Sequence, residues 1–264
     1  MTRRRSALIV LVAMLAAGSA VRVNGAQAFG SGVLRVGIGV GPVGSAFWAV
    51  NDPASGQPRG VTVDLAEALA RYLGVRLQLV VYANSGELAI GGTRHEWDAA
   101  FLPVDEDRRA LIDFGPSFYT FDSTYLVPPN SSIATFADVD RPGVRVAAIG
   151  VTTTGRAAQR SLTHATFIDV RTVEEAEAAL RRGEADAVAF SRESLVNFAA
   201  TMPGSRILDG SFQSTGVAAA VPKNQPSDLA IVTRFIETAL ASGVVADALT
   251  HAGIAGAPAP PRQR

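Results

Sequence analysis

The sequence predicts an α/β protein built as two lobes joined by a two-strand hinge. Three observations carry this: a strand, helix, strand run near the start, a second such run from residue 143, and two apolar stretches placed to cross between them. In the first run, VLRVGIGV (33–40) has the Val and Ile content of a buried strand. DLAEALARYLGV (64–75) then sets Leu65, Ala68, Leu69, Tyr72 and Leu73 on one helical face before Gly74 ends it. RLQLVVY follows as a second strand, and this order argues for a parallel βαβ unit.

The pattern restarts with GVRVAAIG (143–150) as a strand and TTTGRAAQRSL as a helix with threonines at its start. TFIDV, TVEEAEAALRRGEA and DAVAFS continue it as strand, helix and strand. STYLVPP (123–129) leads out of the first unit, and TGVAAAVPK (215–223) leads back toward the C-terminal helix DLAIVTRFIETALASGVVADAL. Two crossings make a hinge, so residues 29–125 plus 217–254 are expected to form one lobe and 126–216 the other. The cleft between them is the default ligand site. No close internal repeat is visible, and the Pro-rich end, 255–264, reads as a disordered tail.

At 264 residues, 48% apolar and 18% charged, the chain is long enough for each lobe to bury a core. Its formal net charge is zero with no basic block, so attraction to nucleic acid or anionic lipid has no visible source. With no cysteine, neither a disulfide frame nor a thiolate metal site can form. His95, His164 and His251 are far apart without ligand spacing, so no metal and no cofactor is expected.

The N-terminus has Arg3, Arg4 and Arg5, an apolar stretch from Ala7 to Ala17, and then small residues, the three parts of a secretory signal. Cleavage after Ala28, behind AQA, would remove residues 1–28; GSA ending at Ala20 is the competing site. The apolar run is shorter than the about 20 residues that span a bilayer, and an uncleaved anchor is the alternative. The mature chain is therefore expected outside the cytoplasmic membrane.

Five motifs then carry a resemblance. LRVGIGV, GQPRGVTVDLAEALARYLGV, WDAAFLPVDEDRRALIDFGPSFY, GVRVAAIGVTTTG and RRGEADAVAFSRESL stand in this order between about Val33 and Ile254. Each is weak alone, but the ordered set resembles the family 3 periplasmic solute-binding proteins of amino-acid ABC transporters. The resemblance implies the type 2 periplasmic-binding fold, two Rossmann-like lobes closing on a small solute. It also implies a periplasmic location, an inner-membrane ABC permease as partner and a monomer.

Residue by residue, the resemblance makes Arg108, five positions before Asp113, the clamp for a ligand α-carboxylate. A guanidinium suits that task, since it grips a carboxylate with two parallel hydrogen bonds and stays charged. A salt bridge to Asp105 or Asp107 is the alternative for Arg108, and Arg109 would be solvated or paired with Glu106. Asp105 stands where the family has a Thr whose backbone N–H helps hold the carboxylate. Thr152 and Thr153 resemble its ligand-touching Ser or Thr pair, and helix capping is the competing role.

Phe47 and Trp48 fall where aromatic residues wall such clefts, with an ordinary core role as the alternative. One departure concerns the ligand's amine. Where amino-acid binders place an Asp against the α-ammonium, this chain has Ser191, followed by Arg192 and Glu193. An Arg192 facing the cleft would favour a dicarboxylate or other dianion, whereas the Ser191 hydroxyl or Glu193 would keep the amino-acid reading. No Ser/His/Asp set, HExxH or phosphate loop is present, so the chain is read as no enzyme. A dehydratase-like activity on this fold, with DED (105–107) as the acids, and a sensor partner in place of a transporter are the alternatives.

Overall fold

The computed structural model describes residues 32–40 and 45–254; the signal segment with its cleavage sites and the tail expected from the sequence lie outside them. The strands are β1 (Val33–Gly39), β2 (Val50–Asn51), β3 (Pro58–Arg59), β4 (Arg76–Tyr82), β5 (Ala99–Pro103), β6 (Ile112–Val127), β7 (Arg145–Ala148), β8 (Thr166–Asp169), β9 (Ala187–Ser191), β10 (Arg206–Ile207) and β11 (Gln213–Pro222). The helices are α1 (Val61–Leu73), α2 (Ser85–Thr93), α3 (Glu106–Leu111), α4 (Phe136–Val139), α5 (Thr153–Ser161), α6 (Val173–Arg181), α7 (Arg192–Thr201), α8 (Pro226–Ala241) and α9 (Val244–His251).

A single hydrogen-bonded sheet runs in the order β4-β1-β5-β11-β6-β9-β7-β8, with β10 on β6 and a separate β2-β3 hairpin. β1 pairs in parallel with β4 and β5, and β7 does the same with β8 and β9, which gives one βαβ unit at each end. β6 and β11 are the long antiparallel pair between them. Each end has its own core. Leu34, Val36, Leu65, Leu69, Phe101, Phe121 and Phe235 pack together at one end, and Leu126, Ala147, Val188, Leu195 and Phe198 at the other. Phe121 and Leu126 lie on the same strand, so β6 changes lobes between them.

The two ends share a device that the sequence does not announce. Arg35 on β1 donates its N–H to Asp98 at 2.8 Å, and Asp98 returns a backbone bond to the Arg35 carbonyl at 2.8 Å. Arg145 on β7 and Asp186 do the same at 2.9 and 2.8 Å, with the guanidinium forked onto the carboxylate at 3.0 and 2.9 Å. In each lobe an Arg of the first strand thus fixes the start of the third. The Arg145 fork is the main cause holding Asp186 below the usual carboxylate range.

Several boundaries differ from the sequence reading for identifiable reasons. α1 begins at Val61 rather than Asp64, because Gly60 (φ 142°) turns the chain so that the Val61 and Thr62 N–H groups reach the Ala46 and Phe47 carbonyls. A Cβ at Gly60 would lie 2.4 Å from the Ala46 oxygen, so only glycine fits. Residues 106–111 form a short helix for which the sequence reading had no element, with the Asp105 carboxylate accepting from the Arg108 N–H as N-cap. The C-terminal helix is two, α8 and α9, meeting at 74° where Gly243 takes a left-handed conformation (φ 87°). Among the described residues no single helix is long and apolar enough to cross a membrane; α8 and α9 together pass that test, and they bury Val232, Phe235, Ile236, Val245 and Ala248 in the protein core.

Candidate functional site

Three helix starts converge between the lobes. α2 enters from the β1 side, capped by Asn84, whose carboxamide oxygen accepts from the Gly86 and Glu87 N–H groups at 3.0 and 2.9 Å. α5 enters from the β7 side, capped by Thr152, and α7 follows β9, capped by Ser191. A cavity of about 120 Å³ lies among them. Trp48, Leu88, Phe101, Phe121 and Phe190 supply its apolar wall, and Asn84, Ser85, Thr152, Thr153, Thr154, Ser191 and Ser194 its polar groups. None of the described lining residues is ionisable, and residues 41–44, Gly-Pro-Val-Gly, contain no ionisable side chain. A second hollow of about 480 Å³, lined by Ile90, Arg108, Leu111, Val151 and Arg156 among others, shares no residue with the first. The first is the better ligand site, since apolar walls and convergent polar groups from both lobes meet there.

Trp48 is placed by its backbone. Its N–H reaches the Ser45 carbonyl at 3.0 Å, and the Thr62 hydroxyl donates to its own carbonyl. Its ring stands edge-on to Phe47 and Phe121, with centroids 4.7 and 5.7 Å away. Phe47 takes the core role: it is buried, 4.4 Å from the Tyr119 ring, and does not line the cavity.

Arg108 lies just behind the wall. Its Nη1 donates to the Pro103 carbonyl at 3.0 Å and its Nη2 to the Ser85 hydroxyl at 2.8 Å, and both of those residues line the cavity. At 2% exposure it is almost wholly desolvated, and burial pulls its guanidinium down to about 10, partly offset by Asp105. It therefore remains a cation at neutral pH. Its Nε is buried without a hydrogen-bond partner and lies 3.6 Å from Asp105 Oδ2. Arg109 is exposed, 3.6 Å from Glu106 Oε1.

Asp105 ties the lobes together. It accepts the Thr153 hydroxyl at 2.7 Å and a guanidinium N–H of Arg156, both on α5. Burial alone would raise its pKa, but the Thr153 hydroxyl, the Arg108 amide and the two guanidinium groups outweigh it and hold the carboxyl below its usual range. Arg156 Nε also lies 3.1 Å from Asp107 Oδ2. The lobes touch again at Gly86, where an added Cβ would meet the Val151 oxygen at 2.6 Å. This is a closed arrangement.

Thr152 acts as helix cap, accepting the Gly155 N–H at 3.0 Å, and still lines the cavity. Ser191 caps α7 and bonds Ser194 at 3.0 Å. Arg192 turns the other way, donating to the Leu208 and Gly210 carbonyls at 3.4 and 2.6 Å, and does not line the cavity. Glu193 accepts the Tyr119 hydroxyl at 2.6 Å. The structure thus gathers Trp48, Thr152, Thr153 and Ser191 on the cavity and holds Phe47, Asp105, Arg108 and Arg192 off it. Sequence reasoning missed Asn84 and Ser85; the signal was NSGE, an N-cap Asn with Glu three residues on. It also missed Arg156, whose partners are set by lobe contact. Among the described residues no His, Cys, Asp or Glu cluster could hold a metal.

Comparison with known proteins agrees with this architecture. A glutamine-binding protein of Geobacillus stearothermophilus is 25% identical over 178 residues, 63% of this chain, and the match spans 64% of that protein's length. The solute receptor for L-cysteine of Neisseria gonorrhoeae superposes with a TM-score of 0.77 at 20% identity, covering 87% of this chain and 93% of the other. The ancestral amino acid-binding protein AncCDT-1, a precursor of cyclohexadienyl dehydratase, gives 0.75 at 24% identity, covering 86% and 98%. These two likenesses show the shared fold. Residues 38–251 match the model of one family across most of the chain, and on that ground the chain belongs to the bacterial extracellular solute-binding proteins, family 3.

Proposed function

We propose that the chain is the periplasmic receptor of an ABC importer, a monomer that closes two lobes, 29–125 plus 217–254 and 126–216, on one small organic solute and presents the closed form to a permease. One observation carries this: hydroxyl and amide groups at helix starts of both lobes converge on one cavity, so a solute there stabilises closure by touching both sides. Trp48, Thr152, Thr153 and Ser191 are its proposed contacts, with Asn84 and Ser85. Catalysis is not part of the proposal. A dehydratase-like step needs a placed proton donor, and of the acids 105–107 Asp105 is engaged by Arg156 and Thr153 and Asp107 lies 3.1 Å from Arg156 Nε.

A second reading, a carboxylate-bearing solute such as an amino acid anchored by Arg108, is favoured by the buried Nε of Arg108, which has no hydrogen bond. The test is a thermal-shift panel on residues 29–264 with amino acids, dicarboxylates, keto acids and uncharged solutes. A ligand at about a hundredfold over its Kd adds about 2.7 kcal/mol, a rise of about 5 to 10 °C. If the rise comes from an amino acid and is lost in Arg108→Ala, the anchor role stands. No rise with any class would remove the receptor reading.

A further inference from the structure

Each lobe keeps one charged group a single hydrogen bond behind the cavity wall. On the first lobe it is Arg108, whose Nη2 donates to the Ser85 hydroxyl at 2.8 Å and whose Nη1 donates to the Pro103 carbonyl at 3.0 Å. On the second it is Glu193, bonded to Ser191, which also bonds Ser194 at 3.0 Å. Arg108 has capacity to spare, because its Nε is buried without a hydrogen bond. Asp105, 3.6 Å from that atom, takes its counter-charge from Arg156 on the opposite lobe, and Asp107 is exposed to water. A solute carboxylate that replaces the Ser85 hydroxyl as acceptor therefore meets a desolvated cation, where a charged hydrogen bond is strong.

The rest of the lining offers nothing to a charged or polar side chain. The Asn84 carboxamide is spent, since its oxygen accepts the Gly86 and Glu87 N–H groups and its Nδ2 donates to the exposed Glu87 at 3.2 Å. The Thr153 hydroxyl donates to Asp105, and that of Thr154 bonds Ser123 at 2.8 Å. What remains is apolar: Trp48 and Phe121 from one lobe, Ile149, Val173 and Phe190 from the other. No ionisable group stands among the described lining residues, so a third charge on the solute would be desolvated without a partner.

From these contacts we infer that the solute is an amino acid with a compact, apolar, uncharged side chain, and that Trp48, Phe121 and Phe190 are the residues that select it. The inference rests on the reading in which Arg108 anchors a carboxylate. The main-chain carboxylate faces Arg108 across Ser85, and the ammonium donates to the Ser191 and Ser194 hydroxyls with Glu193 behind them. The side chain is left to the aromatic wall. The cavity limits its size: about 120 Å³ is close to the roughly 150 Å³ that accepts benzene in another protein, which suits a short or branched aliphatic chain.

The experiment titrates ligand-stripped protein with amino acids in sets of matched shape: valine against threonine, leucine against asparagine and aspartate, methionine against glutamate and lysine. Thermal shift and calorimetry are the readouts, for wild type, Trp48→Ala and Arg108→Met, with circular dichroism to check the fold. In wild type the apolar member of each set is expected to bind at least about tenfold more tightly than the neutral polar one and at least about a hundredfold more tightly than the charged ones. Trp48→Ala should narrow the preference for leucine over asparagine by about tenfold, and Arg108→Met should weaken every amino acid alike. A polar or charged member that matches its apolar counterpart in wild type would overturn the inference and leave the anchored amino-acid reading in place. An unchanged preference in a folded Trp48→Ala protein would remove the selecting role of the aromatic wall. Silence of all the amino acids, or full affinity for them in Arg108→Met, would overturn the anchor reading and this inference with it.

Discussion

The Tyr119 hydroxyl donates to Glu193 Oε1 at 2.6 Å, joining the crossing strand β6 to the first turn of α7. Burial is the main cause that lifts the Glu193 carboxyl above its usual range; bonds from Tyr119, its own backbone and Ser191 pull it down, and nearby Asp122 raises it further. A folded pKa above the unfolded one means the protonated form favours the fold. That contribution is complete below about pH 4.3, the ordinary Glu value, and is lost as pH rises through the raised value. Glu193→Gln should therefore melt above wild type at pH 8, with the gap closing toward pH 4. A gap independent of pH would mean that Glu193 does not titrate with folding.

Gly86 bears on closure alone. An alanine there would press its Cβ against the Val151 oxygen and side chain, 2.6 and 2.8 Å away in the other lobe, while favouring helix α2 by up to about 1 kcal/mol. Gly86→Ala is expected to leave the melting point of the empty protein level or higher, to weaken solute binding by about tenfold or more, and to enlarge the radius of gyration in solution scattering. Undiminished affinity would show that the lobes close without this approach.

Gly60 is a matter of stability instead. Its φ of 142° and the 2.4 Å approach of the Ala46 oxygen leave no room for a side chain. Gly60→Ala should cost about 3 kcal/mol, a fall in Tm of roughly 6 to 12 °C, by differential scanning calorimetry. A change under about 1 °C would mean that the Ala46 loop yields freely.

The paired clamps of the two lobes should act independently. Asp98→Ala and Asp186→Ala each remove a carboxylate that accepts a strand N–H and a guanidinium, at a cost of about 1 to 2 kcal/mol. The strands they hold pack into separate cores, so the double variant should lose the sum to within about 0.5 kcal/mol, measured by urea denaturation. Coupling well beyond that would mean that the two clamps are linked through the sheet between them.

Much of the fold was legible because strands such as VLRVGIGV and RLQLVVY and the apolar face of α1 repeat at their own periods. α2 was not, since Gly86, Gly91 and Gly92 look like breakers; Gly92 is there because Trp97 and Ile112 pack within 3 Å of where its Cβ would be. α3 is too short and too charged to show a period. At the site, the threonines of α5 were readable as a helix start. The direction of Arg192 was not, because the Leu208 and Gly210 carbonyls that hold it come from a turn sixteen or more residues away. Asp105 stands at the position the resemblance gives to a Thr, and its side chain occupies the seam, drawn there by an arginine that only lobe contact supplies.

The place of β11 in the sheet governs the order in which the chain can mature. It lies between β5 and β6, bonding Phe101 to Ala219 and Thr120 to Gly216 across roughly a hundred residues or more of chain. A polypeptide emerging N-terminus first therefore offers β1, β4 and β5 with an unpartnered edge, while the segment from β6 to β9 already has its parallel neighbours to hand. That segment can condense early, and the lobe that carries Trp48 must wait for residue 222 before its central strand exists. Until then its exposed strand edge is the part of this molecule most in need of shielding.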